Sequence, residues 1–348
     1  MTLPSGSSSP AEAPVAMLDG PGVPGAAAGD PLGAVGAEIA RLDAILTDDS
    51  GIDFPVVAEL LRAVFSAGGK RLRPAVVFHA ARLGDGAADP DAVLCLAAAV
   101  ETLHTATLVH DDLVDGALVR RGLPTLNARW KTGATVLAGD WLFARAARFA
   151  AETNNVTVMR IFARTLGTLT DGELRQLLGR AGVPSRDEYE RRIYAKTASL
   201  FEAAAEAAGV LLGLGDDGVA ALARYGRAVG LAFQVVDDIL DFTADEARLG
   251  KPVGSDLLSG QVTLPVLFHL ERHPSAADGL ADGDGRPDPA VAAALVEAVR
   301  ADVLALDAAR AAARAYVDQA LAALDALPAH AGRDGLAAVA RYAVSRDF

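Results

Sequence analysis

Apolar residues recur at helical spacing along most of this chain, and the longest runs predict unusually long helices. The clearest is Asp91 to Asp115, DAVLCLAAAVETLHTATLVHDDLVD, which contains no glycine or proline. Asp91 reads as its N-cap and Gly116 as its stop. At 1.5 Å per residue such a helix is roughly 36 Å long, enough to cross a whole domain. A second run, Gly218 to Phe242, GVAALARYGRAVGLAFQVVDDILDF, predicts another, with Gly226 and Gly230 admitting a close neighbour. Helices of this length imply a bundle around a deep interior.

Two stretches break the pattern. Residues 1–33 are rich in Pro, Gly, Ser and Ala and bury too little to offset ordering entropy, so they read as a disordered tail before one folded unit, 34–348. His273 to Pro289, HPSAADGLADGDGRPDP, reads as a surface loop. The composition agrees with an all-α protein: 51% of the 348 residues are hydrophobic but only 5% aromatic, and Ala and Leu dominate. A net charge of −13, without a basic stripe, argues against nucleic acid as partner. The lone Cys95 cannot form an internal disulfide and reads as core packing. No apolar run reads as long enough to span a membrane and the N-terminus lacks a charged, then apolar, signal, so the expectation is a soluble cytoplasmic protein.

Both long helices end in one five-residue pattern: Asp111, Asp112 and Asp115 in DDLVD, and Asp237, Asp238 and Asp241 in DDILD. Positions i and i+4 share a helix face, so Asp111 stands over Asp115 and Asp237 over Asp241. These like charges repel, and they lie at the unfavourable end of the helix dipole. Carboxylates without Cys or paired His companions suit a hard, oxygen-seeking ion, and Mg²⁺ held by carboxylates together with substrate phosphates fits best. Asp48-Asp49 and Asp216-Asp217 lie in turn-like contexts and read as solvated surface.

In a negatively charged chain the cations become informative. Lys70, Arg71 and Arg73 stand together in GGKRLRP, Arg120 and Arg121 follow the first aspartate cluster in GALVRRGLPT, and Lys196 with Thr197 lies in YAKTASLFE. Lys251 follows the second cluster in GKPVGSD. Cations held in apolar surroundings require anions. There is no GxxxxGK[ST] motif, so phosphate binding of the P-loop kind is excluded.

GGKRLRP, HTATLVHDDLVD, LVRRGLPT, AKTASLFE, FQVVDDILD and GKPVGSDLLSGQVTLP follow one another in an order that resembles the trans-isoprenyl (polyprenyl) diphosphate synthases, from about Ala34 onward. The resemblance implies the isoprenoid synthase fold, a single large helical bundle around a deep central cavity, and a homodimer. It implies condensation of isopentenyl diphosphate with an allylic diphosphate, through ionisation assisted by three Mg²⁺ ions. By motif, Asp111, Asp115 and Asp237 are metal ligands supported by Asp112, Asp238 and Asp241. Lys70, Arg73, His104 and Arg121 match the isopentenyl diphosphate site, and Arg120, Lys196, Thr197, Gln234 and Lys251 the allylic site. The family commonly has Lys where this chain has Gln261, which removes one cation. Short-chain relatives place an aromatic plug one turn before the first cluster. Here Ala106 and Thr107 leave the tunnel open, and the expected product exceeds fifteen carbons.

Three rivals compete. A class I terpene cyclase shares the first motif but generally lacks the GGKRLRP segment. A di-iron bundle would use Glu101 and His104 as an ExxH sequence but needs a second one, and a non-catalytic partner subunit would have lost an aspartate cluster. His110, beside Asp111, reads as an orienter of the carboxylates, whereas Asp140 and Trp141 read as packing.

Overall fold

The computed structural model describes residues 30–49, 55–66, 69–84, 88–120, 122–178, 182–244, 252–280 and 288–345. These residues are helical almost throughout. The first half comprises α1 (Gly36–Thr47), α2 (Pro55–Ser66), α3 (Leu72–Ala81), α4 (Pro90–Val114), α5 (Leu126–Arg129), α6 (Thr132–Glu152) and α7 (Val156–Leu178). It continues with α8 (Arg186–Ile193), a π-helical turn (Tyr194–Ala198), α9 (Ser199–Leu211) and α10 (Asp216–Thr243). Then follow α11 (Ser255–Leu258), α12 (Leu264–Arg272), α13 (Pro289–Ala301), α14 (Val303–Leu324) and α15 (Ala331–Ser345). Among the described residues the only strands are a two-residue antiparallel pair, β1 (Val119–Arg120) and β2 (Leu123–Pro124).

The two long helices form as their sequences dictate, with small shifts at their starts. α4 is capped by Asp89 rather than Asp91: the Asp89 carboxylate accepts the Asp91 N–H at 3.0 Å, and Pro90 fills the first turn, where no N–H is needed. Gly116, with φ +65°, ends it in the left-handed conformation glycine tolerates. Asp216 and Asp217 are helical rather than turn residues, since they occupy the first turn of α10 and meet the favourable end of its dipole.

α4 packs between α3, α6 and α9, and α10 packs on α9 and α14. The α9–α10 contact is close because Gly226 and Gly230 face it: a Cβ added at Gly226 would lie 2.4 Å from the Phe201 carbonyl oxygen, and one at Gly230 2.4 Å from the Ala198 Cα. By length and hydropathy α4 and α10 could cross a membrane, which corrects the expectation that no run is long enough. Their most apolar windows are 72% and 61% buried inside the bundle, so that apolarity serves core packing. Pro31 is buried and its carbonyl accepts from His79 Nε2 at 2.8 Å, while residues 1–29 lie outside the described residues.

Candidate active site

The C-terminal end of α4 carries the first aspartate cluster. Asp111 is half-buried, Asp112 buried and Asp115 exposed at the helix cap. Burial pushes the Asp111 carboxyl up to about 6; Lys196 opposes this, while Glu173 and Asp115 add to it. The β1–β2 hairpin then folds back, and Arg120 Nε donates to Asp112 Oδ1 at 2.8 Å. Burial raises the Asp112 carboxyl as well, with Arg120 pulling it down. Arg120 thus reaches the cluster through Asp112; Arg121 lies outside the described residues.

The π-turn between α8 and α9 supplies the link to the second cluster. Such turns insert one extra residue into a helix and re-aim its side chains. Lys196 Nζ stands 3.2 Å from Glu173 on α7 and 3.9 Å from Asp111. Burial alone would lower its pKa, but Asp111 and Glu173 outweigh that and raise it. The next residue, Thr197, is buried and donates through Oγ1 to Gln234 Oε1 at 2.6 Å. Gln234 Nε2 donates in turn to Asp238 Oδ1 at 2.8 Å. Consecutive residues of one turn therefore engage the two aspartate clusters, Lys196 directly and Thr197 through Gln234.

In that second cluster Asp237 is half-buried and its two companions are buried. Tyr189 donates its hydroxyl to Asp238 Oδ2 at 2.7 Å, and burial pushes this carboxyl up to about 7 against the Tyr189 and Gln234 hydrogen bonds. Asp241 accepts from Ser255 Oγ at 2.9 Å and from the Asp256 N–H at 3.1 Å, tying α10 to the start of α11. Lys251 lies outside the described residues, and Gln261 is half-buried just beyond α11.

The GGKRLRP segment divides its cations. Arg71, at a left-handed φ of 44°, turns inward, where its guanidinium meets Glu101 at 2.6 Å and Asp43 at 2.9 Å. It is a structural cation, and Glu101 is its partner, which removes Glu101 from the di-iron reading. Lys70 is exposed, 5.6 Å above the Tyr342 ring, and the Arg73 guanidinium lies 4.6 Å over Phe201 on α9. The Arg71–Glu101 pair docks this segment one turn from His104, and His104 precedes Asp111 by two turns of α4, roughly 10 Å along the axis. A second cationic zone therefore lies along the same helix as the first aspartate cluster.

Toward the interior, the α4 face that carries Asp111 continues through Thr107, Leu103 and Val100 to Leu96. Ala106 is fully buried and Thr107 half-buried, its hydroxyl donating to the His104 carbonyl at 2.7 Å. Beyond them lies a narrow apolar cavity, lined among others by Leu96, Leu103, Phe162 and Leu200.

Some assignments change. His110 faces α6 rather than the carboxylates: its Nε2 lies 3.1 Å from the Val136 carbonyl and 3.7 Å from Asp140, and its ring contacts Phe143. Asp140 is exposed beside it instead of packed, and Trp141 is half-buried, 5.6 Å from the Arg145 guanidinium. His269, His273 and Asp302 cluster together, but Asp302 caps α14 through the Ala305 N–H and binds Arg272 at 2.6 Å, so its carboxylate is committed to the fold. Glu173, Tyr189 and Ser255 were not anticipated from sequence. Tyr189 had a signal, an aromatic among charged residues two turns before Lys196, and Ser255 lay inside the GKPVGSD segment.

The first cluster fits a divalent cation. Its donors are all oxygens, Asp111 is destabilised by burial, and Lys196 beside it divides its charge between Asp111 and Glu173.

Residues 54–298 match the family model described as polyprenyl synthetase. The chain is 40% identical over 299 residues to heptaprenyl diphosphate synthase component 2 of Geobacillus stearothermophilus, covering 85% of this chain and 92% of that protein. It is 37% identical over 317 residues to octaprenyl diphosphate synthase of Escherichia coli (strain K12), covering 89% and 96%. The polyprenyl synthase of Caulobacter crescentus CB15, crystallised with calcium and isoprenyl diphosphate, superposes with a TM-score of 0.83 at 39% identity, covering 92% of this chain and 98% of that one.

Proposed function

The chain belongs to the polyprenyl synthetase family and has its all-α isoprenoid synthase fold, and on that footing we propose that it joins isopentenyl diphosphate to an allylic diphosphate. The product is a linear all-trans polyprenyl diphosphate longer than fifteen carbons, in keeping with the hepta-, octa- and nonaprenyl synthases among its relatives. The observation that carries this reading is the π-turn, whose Lys196 and Thr197 address both aspartate clusters at once.

Asp111, Asp115 and Asp237 would hold Mg²⁺, three ions with substrate bound; when present they supply positive charge for the departing diphosphate. Lys196, Arg120 and Lys251 add fixed positive charge at the place where charge develops on that leaving group, with Thr197 and Gln234 beside it as hydrogen-bonding groups. Lys70, Arg73, His104 and Arg121 would hold isopentenyl diphosphate along α4, so that the two reactants meet as neighbours rather than by collision. The apolar interior below Asp111 shields the allylic cation from water and takes up the growing tail, at about 0.8 kcal/mol for each buried methylene. On this reading the small side chains of Ala106 and Thr107 leave room for that tail where a larger residue would not.

The same reading includes a homodimer. Exposed Leu174, Leu177 and Leu178, which share one face of α7 by their spacing, support it, because a row of large apolar side chains is rarely left on a free surface. It also includes a cytoplasmic location, supported by a single cysteine, half-buried, whose thiol burial keeps protonated. Purified protein supplied with Mg²⁺, labelled isopentenyl diphosphate and a series of allylic primers tests the whole reading, with products sized after phosphatase treatment. Incorporation that requires a primer and yields alcohols above fifteen carbons is expected. Hydrocarbon release from the primer alone would refute it.

A further inference from the structure

Tyr189 stands outside every motif, yet its hydroxyl reaches the second aspartate cluster. We propose that Tyr189 is a positioning residue for the diphosphate site, anchoring Asp238 so that the adjoining Asp237 keeps its place as a metal ligand. The inference rests on the prenyl-transfer reading above.

Asp238 is 2% exposed and sits within an apolar cluster that includes Val235, Val236 and Ile239. A carboxylate in such surroundings needs donors on both oxygens. It has them from opposite sides: Tyr189 on Oδ2 at 2.7 Å, and Gln234 on Oδ1 at 2.8 Å. The Gln234 amide is itself oriented, because Thr197 donates to its oxygen at 2.6 Å and leaves the nitrogen to face Asp238. Each bond has a fixed direction, so the chain Thr197–Gln234–Asp238–Tyr189 sets the rotation of α10 against both α8 and the π-turn. With both oxygens engaged, Asp238 serves as the anchor while its neighbour is left to the metal.

Tyr189 is itself well held. Its ring is 3% exposed, and the Arg192 guanidinium lies 5.6 Å from the ring centroid while donating to the Val262 carbonyl at 2.5 Å. Removing the hydroxyl alone therefore leaves the ring seated and strips one donor from Asp238. Groups that support metal ligands from behind typically change metal affinity or activity by about 10- to 100-fold when removed.

The test compares wild type with Tyr189→Phe in the full-length protein. Calorimetric titration of Mg²⁺ with inorganic pyrophosphate reads the site without turnover, and steady-state kinetics read the rest. Binding weaker by about 10-fold or more is expected, together with a higher Mg²⁺ requirement and a higher KM for the allylic diphosphate. The KM for isopentenyl diphosphate should stay put. In an Asp238→Ala background the same substitution should have no further effect, because the acceptor of the Tyr189 hydroxyl is already gone. Unchanged pyrophosphate binding, an equal loss in the Asp238→Ala background, or failure of Tyr189→Phe to fold would each overturn the proposal. Wild-type protein that binds Mg²⁺ and pyrophosphate but forms no prenyl product would instead sink the prenyl-transfer reading, leaving the Tyr189 comparison interpretable.

Discussion

Asp111 shows how much one carboxylate can encode. Burial lifts its pKa from 3.8 to about 6, so the folded protein binds that proton more tightly than the unfolded chain. The stability this contributes is complete below the unfolded pKa and is lost as pH rises through about 6, leaving an ionised, poorly solvated acid at neutral pH. Asp111→Asn should therefore stabilise the metal-free protein by about 1–3 kcal/mol at pH 8, and that gain should fade as pH falls through 6. Parallel denaturation curves at both pH values check it, and a gain independent of pH would assign the effect to something other than ionisation. Arg71 is the opposite case, a cation consumed by the fold. Arg71→Leu leaves Glu101, 5% exposed, without its partner, and should cost about 3 kcal/mol in urea unfolding. A loss of activity with stability intact would instead return Arg71 to the substrate site. The sequence marked Lys70, Arg71 and Arg73 alike. Only the left-handed backbone at Arg71 separates them, and a three-cation run does not show which member turns inward.

Among the elements, the spacing of apolar residues located α4 and α10 to within two residues at either end, because neither helix competes with a strong internal breaker. Their glycines tell why α10 is exceptional. Gly226→Val would push a side chain into the Phe201 carbonyl and the Glu202 backbone, which cannot yield. It should destabilise by about 3 kcal/mol, whereas Gly167→Ala, in the open on α7, should stabilise by about 0.5–1 kcal/mol. Comparing their unfolding midpoints tests the close α9–α10 contact directly, and equal effects would deny it. The π-turn was not legible. YAKTASLFE reads as ordinary helix, and the extra residue that lets Lys196 and Thr197 reach different partners follows from tertiary packing between α7 and α10 rather than from any local propensity. The same holds for Glu173, whose role exists only because α7 passes beside the turn.

At the scale of the molecule, α4 carries Asp111 on a face whose deeper residues, Leu103, Val100 and Leu96, line a narrow apolar cavity. The aspartate spacing on that face was readable in sequence, while its apolar continuation and the closing walls from α7 and α9 were not, since nothing local ties Phe162 or Leu200 to the cavity. Ala106→Tyr should narrow it and shift the product distribution to shorter chains with little change in the rate of the first condensation; an unchanged distribution would place the length limit elsewhere. The joint action of the two aspartate clusters is the claim on which all else depends. It is tested most directly by measuring Mg²⁺-dependent incorporation of labelled isopentenyl diphosphate by wild type, Asp111→Ala, Asp237→Ala and the double variant. Each single change should reduce kcat by a factor on the order of 10² or more, and the double variant should lose scarcely more than the worse single one, as groups acting together do. Wild-type turnover by the double variant would contradict the account outright.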